Sequence, residues 1–346
     1  MKRKTMKNYI LLNENAIYYE CGFSCDNVVF LNLGDDKYFI TDARYTTEAK
    51  EFAKGCEVVQ SSDLVEDVKN ILKKSKIKKI TFDPNDFKLS FYQKVVENTK
   101  TKFEAIENFS KQKRIIKSDE EIELLKKAAN IGRAGFKELA KYIRKNGYNQ
   151  SENYLHFKAI EKLSHSGKYD LSFDPIVAIN KNAAKPHALP TKTKLKLNDL
   201  VLVDAGVKYK RYCSDRTCTS NVNFENFNFK REQKFKNKKH QKIYDLVLKA
   251  QLNAIQKARV GMKASQIDQL TREIITKGGY GDYFVHSTGH GVGLDIHEFP
   301  NINSKSDVII EDNMVFTIEP GIYLPNEFGV RIEDTVVMKN GKAQIL

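Results

Sequence analysis

Residues 201–219 read VLVDAGVKYKRYCSDRTCT, two strand candidates joined by a short basic turn. Asp204 lies inside the first candidate and Asp215 inside the second. If the chain turns at Tyr209 and Lys210, residue 204 pairs with residue 215, which predicts Cβ atoms roughly 4.5–5.5 Å apart. Two carboxylates at that distance repel each other unless a cation lies between them. The stretch therefore predicts a hairpin that presents two acidic side chains to a metal pair, since the ions of two-metal hydrolytic sites lie ~3.5–4 Å apart.

A second acidic pair lies near the C-terminal end of the sequence. Glu319 is part of FTIEPG and Glu333 is part of VRIEDTVV, both of which read as strands. A turn centred on Asn326 would set the two glutamates opposite each other. Pro320 cannot donate a backbone hydrogen bond, so it should end the ladder directly after Glu319. The two predicted hairpins thus bring four carboxylates to one cage.

Three of the seven histidines fall in the stretch HSTGHGVGLDIHE, at His286, His290 and His297. A spacing of four residues is typical of a zinc-binding helix. The glycines on either side of His290 instead favour an extended or looped segment. Four carboxylates and one imidazole make an oxygen-rich site, which favours Mn, Co or Fe, with Zn also compatible, over a thiolate-type zinc site. Spacing alone does not choose among the three histidines.

The length of 346 residues predicts two domains or one large one. A change in sequence texture, with a polar and basic stretch at the boundary, favours two domains, residues 1–110 and residues 111–346. The first part alternates strand-like and helix-like pieces, including a hairpin at 28–41, which indicates an α/β domain. In the second part, Ser118 and Glu121 form a capping box that opens a long helix. Further helices and strands there predict an α+β domain with a mostly antiparallel sheet. The predicted helices of the second part cover residues 118–145, 151–163, 244–259 and 265–277.

Composition argues for a cytoplasmic protein. No apolar run approaches the ~20 residues needed to span a bilayer. The basic residues 1–7 are not followed by the uninterrupted apolar core of a secretory signal. The five cysteines include no Cys-x-x-Cys pair, which favours reduced thiols over a disulfide framework. The net charge of +14 permits a nucleic-acid partner, but the lysines are scattered, and their cluster at 230–239 is typical of a solvated basic loop and helix start.

At these motifs the sequence resembles the pita-bread metallopeptidases, which include methionine aminopeptidase, aminopeptidase P and prolidase. Residues 39–46, FITDARYT, resemble the creatinase-type N-terminal domain, which methionine aminopeptidase lacks. The resemblance implies an α/β N-terminal domain followed by an α+β pita-bread (creatinase/aminopeptidase-like) catalytic domain. It also implies two divalent metal ions, with Mn as the first candidate. The ligands that it implies are Asp204, Asp215, His290, Glu319 and Glu333.

The resemblance implies further site residues. Substrate-contacting positions are His187, His286, Tyr323 and Arg331, and catalytic positions are His187, His286, His297 and Glu319. The implied activity is that of an Xaa-Pro aminopeptidase, acting as a homodimer on peptides with proline at the second position. We hypothesise that a metal-bridging hydroxide attacks the carbonyl before proline. Glu319 would carry a proton to the leaving nitrogen and His297 would stabilise the oxyanion.

One position departs from the family pattern. Cys218 stands where relatives often have an arginine, which predicts altered local packing or pairing without loss of activity. Three alternatives stay open. An Xaa-Pro dipeptidase (prolidase) would use the same chemistry, and the modest chain length tips the balance to the aminopeptidase. A metal-free hydrolase is disfavoured because all five ligand positions are filled. A non-catalytic family member could bind nucleic acid or protein, which the +14 charge allows.

Overall fold

The computed structural model describes residues 6–346, so that the first five residues of the basic N-terminal stretch lie outside the described part. The chain divides into two compact units, of which the first ends at Lys113 and the second begins at Arg114. Among residues 6–346, no helix has the length and apolar character that crossing a membrane requires. Each unit is built around its own sheet structure.

The first unit contains one six-stranded mixed sheet in the order β4-β3-β2-β1-β5-β6. Its elements are β1 (Asn8–Leu11), α1 (Glu14–Cys21), β2 (Val28–Leu33), β3 (Asp36–Thr41), α2 (Thr46–Phe52), β4 (Glu57–Gln60), α3 (Leu64–Ser75), β5 (Lys79–Phe82), α4 (Leu89–Val96), β6 (Lys102–Ala105) and α5 (Phe109–Lys113). The predicted hairpin is confirmed, since Val28 pairs with Thr41 and Leu33 with Asp36. The α/β character predicted for this part of the chain is confirmed as well.

Strand β2 shows why this sheet lies inside its unit. Val28 and Phe30 contribute to one apolar cluster, whereas Val29 and Leu31 contribute to another. Successive side chains of a strand point to opposite faces, so β2 is covered on both sides. Its continuous apolar run is the sequence signature of that double burial.

The second unit contains long helices and several small antiparallel sheets. Its elements are α6 (Asp119–Asn146), α7 (Glu152–Leu163), β7 (Ile176–Ile179), a 3-10 helix (Asn180–Ala184), β8 (Leu200–Asp204), β9 (Lys208–Tyr209), β10 (Tyr212–Cys213), β11 (Thr217–Asn221), α8 (Lys238–Lys257), α9 (Ala264–Lys277), a second 3-10 helix (Gly281–Tyr283), β12 (Gly289–Gly291), β13 (Glu298–Ile302), β14 (Val315–Ile318), β15 (Gly321–Leu324), β16 (Phe328–Arg331), β17 (Asp334–Lys339) and β18 (Lys342–Ile345). The strand orders are β11-β8-β7, β13-β12-β14-β17-β18, β9-β10 and β15-β16. Every strand pair described in this unit is antiparallel, as predicted.

Helix starts in this unit follow local capping. The Ser118 hydroxyl accepts from the Glu121 N–H at 3.1 Å, and the Glu121 carboxylate accepts from the Ser118 N–H at 2.8 Å, which confirms the predicted capping box. Helix α8 begins before the predicted residue 244. The reason is Asn237, whose side chain accepts from the N–H groups of Lys239 and His240. Part of the basic cluster at 230–239 is therefore the first turn of α8.

Strand β8 links the core to the functional region. Val201 and Val203 pack in one apolar cluster, while Leu200 and Leu202 pack in another. The strand is therefore buried on both faces, and Asp204 is its last residue. A strand so firmly embedded holds the carboxylate that follows its apolar run in a fixed place.

Candidate metal centre

The first acidic pair lies on one antiparallel ladder, but its register differs from the prediction. Residue 209 pairs with 212, 208 with 213, and Asp204 with Thr217. The predicted pairing of residue 204 with Asp215 is therefore wrong by two positions. The chain turns at Lys210 and Arg211, whose φ values of 46° and 68° are those of a two-residue hairpin turn. No glycine or asparagine marks that turn in the sequence.

A shift of two residues leaves both carboxylates on the same face of the ladder. Asp215 lies two positions from the direct partner of Asp204, which makes the two residues diagonal neighbours. Both are buried. The two acids are thus brought together as predicted, although not directly opposite each other.

The second acidic pair has the predicted register. Ile318 pairs with Asp334 on one side of the pair and Gly321 pairs with Arg331 on the other, so Glu319 and Glu333 lie opposite each other. Their backbone N–H groups donate elsewhere, Glu319 to Thr288 O at 2.8 Å and Glu333 to Thr217 O at 3.1 Å. The ladder is interrupted at these two positions, next to Pro320, as predicted.

His290 lies in the middle of β12, which confirms an extended rather than helical segment. Its Nδ1 donates to Gly291 O at 3.0 Å, which leaves Nε2 with a free electron pair in the neutral ring. Nε2 lies 3.3 Å from Glu319 Oε1 and 3.6 Å from Asp215 Oδ2. Burial lowers the pKa of His290, which favours the neutral form. An electron pair that faces two carboxylates is repelled by them unless a cation lies between.

The carboxylates themselves test whether a metal fits. One buried oxygen of each of Asp204, Asp215 and Glu333 has no hydrogen-bond partner among the described residues. Single ligand atoms of Asp215, His290 and Glu333 lie within 4.8 Å of one another. Buried acidic oxygens normally have donors or a coordinated cation. The donor set of carboxylates and one imidazole fits a divalent metal ion.

Electrostatics in the metal-free protein support the same conclusion. Burial, with the neighbouring charges of Asp204 and Glu319, raises the pKa of Asp215 well above its usual range. Burial, with Asp215 as the largest charged neighbour, does the same for the pKa of Glu333. Burial raises the pKa of Glu319 to about 8, against the opposing effect of Arg331. Repulsion among these acids is the cost that a bound cation would relieve.

Among the described residues, Arg331 forms an ion pair with Asp204. Its side chain is 4% exposed and its Nη2 donates to Asp204 Oδ2 at 2.6 Å. Nη1 donates to Tyr323 Oη at 2.7 Å, and His286 Nε2 lies 2.8 Å from the same oxygen. Burial and the charge of Arg331 lower the pKa of His286 to about 4, so the neutral ring accepts from Tyr323. Three of the predicted substrate-contacting residues thus form one hydrogen-bonded chain that ends on Asp204.

The other two predicted histidines lie at exposed positions near these groups. His297 is exposed, and its ring centroid lies 4.3 Å from that of His290. His187 is exposed and follows Pro186, whose carbonyl oxygen accepts from Arg331 Nη1 at 3.2 Å. Both are therefore accessible to a substrate.

Two threonines that the sequence reasoning missed hold the acidic side chains. Thr217 Oγ1 donates to Glu333 Oε2 at 2.7 Å and accepts from Arg331 Nε at 3.0 Å. Thr317 Oγ1 donates to Glu319 Oε1 at 3.0 Å and accepts from the His290 N–H at 3.1 Å. Thr317 lies in β14 two residues before Glu319, which directly follows that strand, so alternation could have identified it.

Cys218, the departure from the family pattern, is part of the β8–β11 pair opposite Val203. Its thiol donates to Phe229 O at 3.8 Å, and burial raises its pKa to about 11. The thiol is thus a buried packing group and does not belong to the metal centre.

Comparison with known proteins agrees with the fold. The profile of metallopeptidase family M24 matches residues 123–340, and that of the creatinase/prolidase N-terminal domain matches residues 1–116. The chain belongs to metallopeptidase family M24. It combines a creatinase-type N-terminal domain with a pita-bread catalytic domain, which confirms the predicted fold.

Three similar proteins have related activities in their names. An Xaa-Pro dipeptidase of Pyrococcus furiosus is 39% identical over 261 residues, which are 73% of this chain and 70% of that protein. The structure of an Xaa-Pro dipeptidase from Bacillus anthracis has a TM-score of 0.90 at 35% identity and covers 98% of this chain and 92% of its own. That of an X-Pro aminopeptidase from Thermotoga maritima has a TM-score of 0.87 at 30% identity, with coverages of 98% and 95%.

Proposed function

We propose that this chain is a metal-dependent peptidase that hydrolyses the bond preceding proline, as an Xaa-Pro aminopeptidase. The observation that carries the proposal is the buried group of acidic oxygens without hydrogen-bond partners, among the described residues, around His290. The proline preference is supported by the names of the similar proteins. We also propose that the enzyme is a cytoplasmic homodimer with domains at residues 1–110 and 111–346.

Five side chains would hold two divalent metal ions, with manganese as the first candidate. They are Asp204, Asp215, His290, Glu319 and Glu333. When bound, such ions polarise a carbonyl and lower the pKa of water, which makes hydrolysis possible at neutral pH. The hard oxygen donors support this choice of metals, with Co, Zn or Fe as alternatives.

Side chains of the protein would transfer the proton, stabilise the oxyanion and bind the peptide. Glu319 would accept a proton from the attacking water and return it to the leaving nitrogen, a role that suits a buried carboxylate near the site. His297 would donate a hydrogen bond to the developing oxyanion. His187, His286 and Tyr323 would contact the peptide. Arg331, hydrogen-bonded to Asp204 and Tyr323, would fix the orientation of both groups.

A second candidate is the Xaa-Pro dipeptidase. It is favoured by the names of the Pyrococcus relative and the Bacillus structure, each of which shares a large part of its length with this chain. The two activities differ in whether the substrate continues beyond the proline residue. An aminopeptidase cleaves Xaa-Pro-Xaa tripeptides, whereas a dipeptidase requires the free carboxylate of proline in Xaa-Pro.

The test is a matched assay of the full chain loaded with Mn²⁺. Ala-Pro-Ala, Ala-Pro and the control Ala-Ala-Ala are incubated separately, and the released alanine is quantified. Release from the first peptide alone supports the aminopeptidase, and release from Ala-Pro alone supports the dipeptidase. Absence of release from both proline peptides with Mn, Co, Zn and Fe would exclude the peptidase and leave the non-catalytic alternative.

A further inference from the structure

One buried carboxylate outside the metal centre holds a segment of the chain at both ends. Glu152 is the first residue of α7 and is 0% exposed. Its Oε1 accepts from the Ile179 N–H at 2.6 Å. Its Oε2 accepts from Asn182 Nδ2 at 2.9 Å, the Thr191 N–H at 2.7 Å and Thr191 Oγ1 at 2.5 Å. A single side chain therefore fixes the beginning and the end of residues 179–191.

Backbone hydrogen bonds also join the end of this segment to the start of α7. The Glu152 N–H donates to Thr193 O at 2.9 Å, and the Asn153 N–H donates to Thr191 O at 3.1 Å. Within the segment, Asn182 Nδ2 also donates to Leu189 O at 2.9 Å. The ends of the segment are thus joined to each other and to the start of the helix.

The middle of the same segment contacts the strands that carry the site residues. Pro186 O accepts from Arg331 Nη1 at 3.2 Å. A Cβ atom at Gly329 would lie 1.9 Å from Ala183 O, so the segment and β16 touch backbone to backbone. The exposed His187 follows Pro186 directly. The segment therefore carries His187 and a hydrogen-bond acceptor for Arg331.

The chemistry requires a carboxylate at this position. All four donors are neutral, and a carboxylate offers enough lone pairs to accept from all of them. A glutamine would offer one oxygen and would turn an NH₂ group towards donors. The negative charge also lies at the N-terminal end of α7, where the helix dipole stabilises it.

We propose that Glu152 is a positioning residue for the reaction: it sets the segment 179–191, and with it His187, against Arg331. The hydrogen bonds described for the Glu152 side chain go to Ile179, Asn182 and Thr191, and not to His187 or Arg331. The inference rests on the proposed function, in which His187 contacts the peptide. It gives α7, which supplies none of the proposed metal ligands, a role in substrate binding.

The first test compares Glu152→Gln with Glu161→Gln. Glu161 lies on the same helix and pairs with Lys158 and Lys162. Backbone amide exchange is measured by mass spectrometry in the metal-loaded full chain. We expect faster exchange across residues 180–191 in Glu152→Gln only, with α6 unchanged in both variants. Unchanged exchange in that segment would overturn the proposal, whether or not the protein cleaves peptides.

The second test asks whether Glu152 acts through His187. Wild type, Glu152→Gln, His187→Ala and the double variant are assayed with the proline peptide that the wild type cleaves. We expect Glu152→Gln to lower kcat/KM roughly tenfold or more, because small misplacements of a substrate-contacting group are costly. In the His187→Ala background the further loss should be less than about threefold. Fully multiplicative losses would contradict a role through His187.

A milder variant covers the case in which Glu152→Gln does not fold. Thr191→Val removes one of the four donors and keeps the carboxylate. We expect a smaller increase in amide exchange over the same residues and a smaller loss of kcat/KM. If the wild type cleaves no proline peptide, the proposed function fails, while the exchange measurement still decides whether Glu152 holds residues 179–191 in place.

Discussion

Two clusters of charged side chains are buried in the unit that begins at Arg114. They differ in how far the protein's own cations balance their acidic groups. In the first cluster, the side chains of Lys117 and Glu298 are both 0% exposed, and Lys117 Nζ lies 2.8 Å from Glu298 Oε2. Arg114 Nη2 lies 3.2 Å from Glu298 Oε1 and also pairs with Asp295. Both oxygens of Glu298 therefore have a cation from the protein itself, although Arg114 Nε and Nη1 have no hydrogen-bond partner among the described residues.

The metal centre contains more acidic groups and fewer cations. Of its four carboxylates, Asp204 has an ion pair, with Arg331. Asp215 and Glu333 each keep one buried oxygen without a hydrogen-bond partner in the part of the chain described. Removing a charge from water costs several kcal/mol unless a partner compensates it. The charges of the first cluster are therefore balanced within the protein, whereas the acids of the metal centre require a bound cation.

The largest effect is expected from Glu319→Gln. This change removes a proposed ligand and the proposed proton carrier, so we expect kcat/KM to fall by ~10³-fold or more, or about 4 kcal/mol of transition-state stabilisation. The fold should survive, because the substitution also removes one of several repelling acids. Steady-state kinetics measure the loss of kcat/KM, and thermal unfolding shows whether the fold survives. The matched control is Glu327→Gln, at an exposed ion pair with Lys239, which should leave both unchanged.

The balanced cluster should respond in the opposite way. Lys117→Met leaves Glu298 with Arg114 alone, and we expect it to lower the free energy of unfolding by about 3 kcal/mol. The number of metal ions bound per folded chain should not change. Lys126→Met, at an exposed pair with Glu123, should cost less than about 1 kcal/mol. Denaturant titrations of the two variants decide the matter, and equal losses would refute the distinction between the clusters.

The last expected effect is the pH dependence of the metal-free protein. Carboxyl groups whose pKa is raised by folding, as for Glu319 from 4.5 to about 8, hold their proton more tightly in the folded state. Their contribution to stability is therefore complete below the usual pKa and is lost as pH rises towards 8, by up to about 1.4 kcal/mol per pH unit for each retained proton.

Unfolding of chelator-treated protein between pH 6 and pH 8 should show this decline. Excess Mn²⁺ should reverse it, because the metal binds the deprotonated carboxylates. A metal-free protein that gains stability over this range would contradict the raised pKa values.

The registers of the two acidic hairpins differ in how well the sequence predicts them. The register around Asn326 was predictable, since asparagine tolerates the positive φ of 63° that it adopts there. The turn at Lys210 and Arg211 was not, because two basic side chains in the left-handed region carry no turn signal. The error of two residues in the register did not change the predicted face of either carboxylate, because every second side chain of a strand points to the same face. The convergence of the acids was thus predictable even where the pairing was not.

The residues that hold the site were harder to find. Glu152 receives its hydrogen bonds from positions 179, 182 and 191, and no local motif connects such distant positions. The Lys117–Glu298 pair spans an even longer separation in the chain. Such partners are set by tertiary packing and require the folded structure. Local patterns identified the four proposed carboxylate ligands, and the family resemblance added His290. The groups that orient these ligands became visible only in three dimensions.

We expect two divalent ions to be bound by the proposed ligands Asp204, Asp215, His290, Glu319 and Glu333. Equilibrium dialysis against Mn²⁺, followed by elemental analysis, tests it most directly on wild type and on the double variant Asp215→Asn/Glu333→Gln. We expect about two ions per wild-type chain, as in two-metal hydrolases, and fewer than about one in the folded double variant. A wild type without bound metal, or a double variant with an undiminished metal content, would contradict it.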